Sequence, residues 1–288
     1  MEVRGSALVT GSSRGIGRAV AVELASRGFE TVATMRDPSD ARDLSGESMG
    51  RLRVARLDVT DPGTYELPED LCVLVNNAGI DTEYLPVEHG DLDDWRKLFE
   101  TNVLGTVGVT MAAIPKLRSN RPSVVCNITS SSILACVPFY SAYRATKAAV
   151  SAFGDSLRVE VASSGIRVVE ILPGPIDTDM FKLSTGEPAA VRYERYRPMA
   201  EAAAQLRTQA ADPMVVTPTA AAVRIVDAIL DDAGPMRYGC DPLSVGLLDM
   251  WRQCDDETTF AMTGQSIIDK TENARGRGPV SDGTVAKG

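Results

Sequence analysis

The chain has 288 residues, 44% of them hydrophobic and 24% charged, with a formal net charge of −9. This is the composition of a globular protein large enough to bury a core without staples, and the acidic balance argues against a general nucleic-acid or anionic-membrane binder, which needs a basic face. Five scattered cysteines without a C-x-x-C pair, and a single histidine, argue against a metal site and point to reduced thiols in a cytoplasmic protein.

The opening residues run directly into a strand pattern, so no signal peptide is expected. No apolar run approaches the roughly 18–20 residues of a membrane span. Strand-like runs fall at 7–10, 31–35, 52–59, 72–77, 123–130, 166–173 and 236–241. Most are continuous in Val, Ile and Leu, as in strands covered on both faces. Amphipathic helical patterns at 15–27, 92–118, 143–163 and 217–231 lie between them. The alternation predicts an α/β fold: one Rossmann-type, doubly wound parallel sheet of about seven strands, with helices on both faces and right-handed crossovers.

The expected domain is 1–270. Within it, 179–215 is an insertion with one or two amphipathic helices, placed where α/β proteins hold substrates. A solvated helical spacer is the plainer alternative. The polar, Gly-rich stretch 271–288 reads as a flexible tail. The sole histidine, His89, lies in a loop-like segment and reads as a surface residue.

The first strand ends in "GSSRGIG", with Gly11, Gly15 and Gly17 leading into a helix. Such a turn lets backbone approach a pyrophosphate while the helix N-terminus offers open N–H groups. A merely tight turn is the competing reading, because the spacing differs from G-x-G-x-x-G. Arg14 stands in this turn and Arg36 just beyond the second strand, next to Met35, where an acidic residue would select NAD. Two guanidiniums there fit a 2′-phosphate and favour NADP(H). Asp37 is the competing signal for a ribose without that phosphate.

Tyr143 and Lys147 lie four apart on one helical face. Tyr-x-x-x-Lys alone proves little, but Ser130 closes the preceding strand, "VNNAG" (75–79) ends an earlier one, "ETNVLGT" carries Asn102, and "PGPIDT" (173–178) follows the sixth strand. In their order along the chain, "TGSSRGIG", "DVTD", "NNAG", "TNVLGT", the "TS" pair before "YRATK", and "PGPIDT" resemble the NADP-preferring short-chain dehydrogenase/reductase family over residues 5–242. The second-strand end, the insertion and "MRYGCDP" further resemble bacterial relatives of 17β-hydroxysteroid and retinol dehydrogenases.

The resemblance implies an oxidoreductase acting on a small-molecule secondary alcohol or ketone, bulky and apolar, with NADP(H) as cofactor. It implies Asn102, Ser130, Tyr143 and Lys147 as the catalytic set, Asn102 holding a water in the proton relay and Lys147 also binding the ribose. Gly11, Ser13, Arg14, Gly15, Ile16, Gly17 and Arg36 would meet the phosphates, and Asp58 and Val59 the adenine. Asn77, Ala78 and Gly79 would line the ribose side, and Asn76 would either join them or support the sheet. Pro173, Gly174, Ile176 and Thr178 would clamp the nicotinamide amide. No metal is implied, and a homodimer or homotetramer is. A free tyrosine ionises near pH 10, too high for a base at neutral pH. The Lys147 ammonium, with the charge of an oxidised nicotinamide, is expected to lower that value. A cofactor-sensing regulator without turnover is the reading from another class.

Overall fold

The structure is a computed structural model that describes residues 1–41, 44, 50–186 and 188–275. Seven parallel strands form one sheet in the order β3-β2-β1-β4-β5-β6-β7. They are β1 (Ser6–Val9), β2 (Glu30–Met35), β3 (Leu52–Arg56), β4 (Leu71–Asn76), β5 (Ser123–Ile128), β6 (Ile166–Ile171) and β7 (Arg237–Tyr238). The expected doubly wound parallel sheet is therefore present. β1, β4 and β5 are buried along their whole length, which is why their sequences are apolar runs with no polar alternation.

Helices α1 (Gly15–Ser26) and α7 (Pro218–Leu230) cover one face, packing Val20, Leu24, Ile225 and Ile229 against Val9, Val73 and Val75. Helices α3 (Gly105–Ser119) and α4 (Ser141–Val161) cover the other, where Val109, Leu117, Leu157 and Val161 meet Leu8, Leu74 and Val125.

The predicted helix 92–118 is not continuous. α2 (Leu92–Phe99), capped by the Asp91 carboxylate, leads into a π-helical turn at Glu100–Leu104 before α3 begins. α3 starts against the end of the β3 segment. A Cβ at Gly105 would lie 2.7 Å from Val59 Cγ2, so only glycine permits this approach.

The seventh strand is shorter than the expected 236–241. Asp241 leaves the sheet to cap α8 (Pro242–Gln253), where its carboxylate and Ser244 form a reciprocal capping box. The 179–215 segment holds α5 (Asp179–Thr185) and α6 (Arg197–Ala211). After α9 (Asp256–Phe260), helix α10 (Ser266–Arg275) packs on α6 with Thr271 buried. The tail expectation is thus corrected for 271–275, which a buried helical face holds in place; 276–288 lie outside the described residues. Among the described residues no helix is long and apolar enough to cross a membrane, and no cluster of His, Cys, Asp or Glu could hold a metal ion.

A buried carboxylate ties β6 to its neighbours. Glu170, 1% exposed, accepts from Thr129 Oγ1 at 2.8 Å, Ser151 Oγ at 3.0 Å and Arg237 Nε at 2.9 Å. Glu170→Gln should cost about 2–3 kcal/mol, because it removes one of the two carboxylates paired with a half-buried guanidinium and turns an amide donor toward other donors. Urea unfolding should show a lower midpoint at an unchanged slope.

Candidate active site

The carboxyl end of β1 is built to keep backbone N–H groups open. Gly11 (φ +67) sits so close to the end of β4 that a Cβ would lie 2.8 Å from Ala78 Cα. The Asn77 amide donates to the carbonyls of Thr10 (3.0 Å) and Gly11 (3.1 Å), while Thr10 Oγ1 accepts from the N–H groups of Asn77 and Ala78, both at 3.0 Å. Asn77 is thereby occupied in positioning the turn. Gly17 leaves room for that amide, since a Cβ there would fall 2.3 Å from Asn77 Nδ2. α1 then starts with no side-chain cap and no acidic residue in its first turn. Its free N–H groups and dipole suit an anion. Ser13, Gly15 and Ile16 are half-buried at this edge and Arg14 is exposed, with Arg14 Nε 3.8 Å from Asp179.

At the end of β2, Met35 is packed in the core, and Arg36 is the exposed residue that follows. The Asp37 carboxylate accepts from Ser39 N–H at 2.9 Å and Ser39 Oγ at 2.8 Å. These bonds hold its pKa below the usual carboxylate range and occupy it within its own turn. Asp58 accepts from Thr60 N–H at 2.9 Å and Thr60 Oγ1 at 2.8 Å. The backbone bond chiefly lowers its pKa, with the charges of Arg36 and Arg56 adding to it. Val59 is buried, and its carbonyl accepts from the Tyr65 hydroxyl at 2.5 Å.

The candidate catalytic set does converge. Lys147 is buried and its Nζ donates to the Ile128 carbonyl at 3.0 Å, 5.7 Å from the centroid of the Tyr143 ring. The Ser130 hydroxyl faces Tyr143 closely enough to favour its phenolate. Asn102, swung inward by the π-turn, accepts from Ile80 N–H at 2.8 Å and donates to Ile80 O at 3.0 Å and Thr146 Oγ1 at 3.1 Å. Its carbonyl accepts from Thr106 Oγ1 at 2.9 Å. Its side chain is therefore a clasp on the segment after β4. A Cβ at Gly79 would lie 3.3 Å from Asn102 Oδ1 and 3.6 Å from Lys147 Nζ. Asn76 donates to Thr110 Oγ1 at 2.8 Å and Asn127 Oδ1 at 2.9 Å, tying β4 to α3 and β5.

The turn after β6 faces the glycine turn. The N–H of Gly174 donates to Asp241 at 2.7 Å, and the Pro173 carbonyl accepts from Ser131 N–H at 2.9 Å. Ile176 is buried in the core. Thr178 caps α5, and its methyl would lie 3.3 Å from a Cβ on Gly15.

Residues 6–188 match the short chain dehydrogenase family. The chain belongs to the short-chain dehydrogenase family. Retinol dehydrogenase 5 of Homo sapiens is 35% identical over 190 residues, covering 62% of this chain and 59% of that protein. Sulfoacetaldehyde reductase 2 of Chromohalobacter salexigens is 34% identical over 201 residues, covering 66% of this chain and 80% of that protein. A short chain dehydrogenase from Burkholderia cenocepacia, solved in complex with NADP, superposes with a TM-score of 0.71 at 23% identity, over 91% of this chain and 98% of the other.

In this short-chain dehydrogenase the protein groups around the phenol act in opposite directions. Burial, and then the charge of Asp81, push the Tyr143 pKa upward, and the Ser130 hydroxyl only partly offsets them. Burial of the phenolate is the largest of these effects. Lys147 is itself brought down to about 8 by burial, with Asp81 opposing the fall.

Sequence reasoning missed Asp81, Tyr84, Tyr140 and Arg207. Asp81 accepts from the Tyr84 hydroxyl and, at 2.9 Å, from Thr82 N–H. Burial raises its pKa to about 6, against the pull of those bonds and of Lys147. The Tyr84 ring stacks on Tyr140 at 3.9 Å, and Arg207 Nη1 donates to the Tyr140 hydroxyl at 2.9 Å. No sequence spacing announces this cluster, because its members come from three segments brought together only by folding. His89 is exposed and its ring stacks on Tyr193 at 3.8 Å, and Arg192 pairs with Glu83 at 2.5 Å. These contacts tie the 81–90 segment to the insertion.

A raised carboxylate pKa destabilises the folded state once the group ionises. Stability is fullest below the unfolded value near 4 and falls as pH rises through about 6. Asp81→Asn should therefore gain on wild type across that window, by about 3 kcal/mol at most. Urea unfolding at a series of pH values reads the gap, which should open between pH 4 and 6 and stay flat above.

Proposed function

We propose that the protein is an NADP(H)-dependent oxidoreductase that interconverts a secondary alcohol and its ketone, with Tyr143 exchanging the proton. The observation that carries this reading is the meeting of a phenol, a hydroxyl and a buried ammonium, from Tyr143, Ser130 and Lys147, at the carboxyl edge of the sheet. The nicotinamide, when bound, gives or takes the hydride.

The chain's own residues divide the remaining work. Gly11, Gly15 and Gly17 give the phosphates access to the first turn of α1, with Ser13 and Ile16 beside it. Arg14 and Arg36 bind the 2′-phosphate, supported by the core position of Met35 and the commitment of Asp37 to Ser39. Asp58 and the Val59 main chain meet the adenine. Ala78 and Gly79 flank the ribose, with Lys147. Pro173, Gly174, Ile176 and Thr178 hold the amide. Ser130 orients the substrate oxygen and Tyr143 hands it a proton. Burial raises the phenol's pKa, so Tyr143 meets a ketone in its protonated form.

The two relatives are named for retinol and for sulfoacetaldehyde at near-equal identity, so their names do not select a substrate. Residues 179–215 form the substrate wall in this reading. Phe139, Tyr193 and Tyr196 gather there beside His89, which suits a bulky apolar body. The exposed Leu104, Met111 and Val159 on the outer side of the α3 and α4 region suit pairing into a homodimer or homotetramer.

Tyr143→Phe should lower the turnover of NADPH with a ketone panel by about 10²–10⁴-fold, with NADPH affinity unchanged in a fluorescence titration. Cofactor binding without turnover across the panel by wild type would favour a regulator instead. Arg36→Asp should weaken NADPH binding by about 10–100-fold and spare NADH, since one charge-assisted pair is lost. An unchanged ratio of the two affinities would remove the 2′-phosphate assignment.

A further inference from the structure

Two half-buried arginines of this protein each face two carboxylates. Arg27 pairs with Glu23 at 2.7 Å and Asp227 at 2.8 Å; Arg237 pairs with Asp155 at 2.7 Å and Glu170 at 2.9 Å. Arg207 on α6 has no ion pair among the described residues. Its Nη1 is spent on the Tyr140 hydroxyl, and its Nε is buried without a partner. A guanidinium keeps its charge under all ordinary conditions. Leaving one of its N–H groups buried and unbonded is costly, unless an acceptor arrives.

The location says which acceptor. The Tyr140 hydroxyl that Arg207 holds lies near enough to Tyr143 to influence its ionisation, and it also faces Ser184 of α5. Arg207 is thus separated from the Tyr143 phenol by one aromatic side chain. The neighbouring carboxylate does not neutralise it. Asp81 is engaged by the Tyr84 hydroxyl and the Thr82 N–H, and the cation it faces is Lys147. Arg144 also carries a buried, unpartnered Nε, but the ionisable group it faces is Cys136.

We propose that Arg207 binds an anionic group of the substrate. The molecule reduced at Tyr143 then carries a carboxylate, or an oxyanion of the same fork-matching geometry, beyond its reacting carbonyl. The planar guanidinium offers its remaining donors to two oxygens at once, and Tyr140 sets its orientation. This deepens the reading under Proposed function and rests on it. It adds a charged end to a substrate whose body meets the aromatic wall.

The test is calorimetric titration of the full chain, with and without saturating NADP⁺, using hexanoate and its neutral near-isostere hexanamide as probes. Wild type should bind hexanoate about 10–100-fold more tightly than hexanamide, the range one charge-assisted pair supplies. Arg207→Met should erase the preference while leaving NADP⁺ affinity unchanged, and Arg207→Lys should keep part of it. Tyr140→Phe removes only the orienting hydroxyl and should reduce the preference several-fold, which serves if Arg207→Met fails to fold. Equal affinity for the two probes, absence of hexanoate binding, or a preference that survives in Arg207→Met would overturn the proposal. Because the titration requires no turnover, it stays distinct from failure of the oxidoreductase reading, which shows as no NADPH consumption by wild type.

Discussion

The buried ammonium of Lys147, donating 3.0 Å to the Ile128 carbonyl, sets the register of α4 against the sheet. α4 runs back along the strands from their carboxyl ends. Four residues of helix advance about 6 Å and two residues of strand about 6.6 Å. With Lys147 pinned beside Ile128, Tyr143 therefore comes level with Ser130. The match of these two rises brings a phenol and a hydroxyl from separate elements to one place. Thr146 on the adjoining face accepts from Asn102, locking the same helix to the segment after β4.

That second lock depends on the break between α2 and α3. A continuous helix would sweep its side chains round at a constant angle. The π-turn adds a residue and turns Asn102 inward, where its amide satisfies both backbone groups of Ile80. Gly105 then lets α3 close on Val59. The result is a held segment at 78–81, joined through Asn77 and Thr10 to the glycine turn. The proposed cofactor edge and the proposed proton-transfer edge are thus two ends of one hydrogen-bonded frame.

The sheet was legible because burial on both faces demands apolar runs, and those runs mark β1, β4 and β5 directly. Glycine spacing announced the turn before α1, since Gly11 and Gly17 sit where any Cβ would strike Ala78 or Asn77. Tyr143, Lys147 and Ser130 were legible through motif order. The interruption at Glu100–Leu104 was not, because its residues keep helical backbone and apolar spacing on both sides. Asp81, Tyr84, Tyr140 and Arg207 were invisible for another reason. Their association is tertiary, and each residue type by itself reads as an ordinary surface or core position. The ending of β7 followed a local competition: Asp241 gains more as a buried helix cap than as a strand residue.

The charge balance around Tyr143 shows how the ammonium can matter while failing to lower the phenol's pKa in the resting protein. Burial penalises the phenolate, Asp81 repels it, and Lys147 is itself a cation drawn out of water, down to about 8. The resting pair is a neutral phenol beside a strained cation. On the proposed reading, passing the proton to a substrate oxygen creates negative charge on the phenol 5.7 Å, ring centroid to Nζ, from that cation. In a poorly solvated site this attraction is far stronger than in water. It is absent before the proton moves and grows as it leaves. Under the proposed function, Lys147 would therefore favour the transition state over the starting state, which is the only kind of interaction that speeds the chemical step.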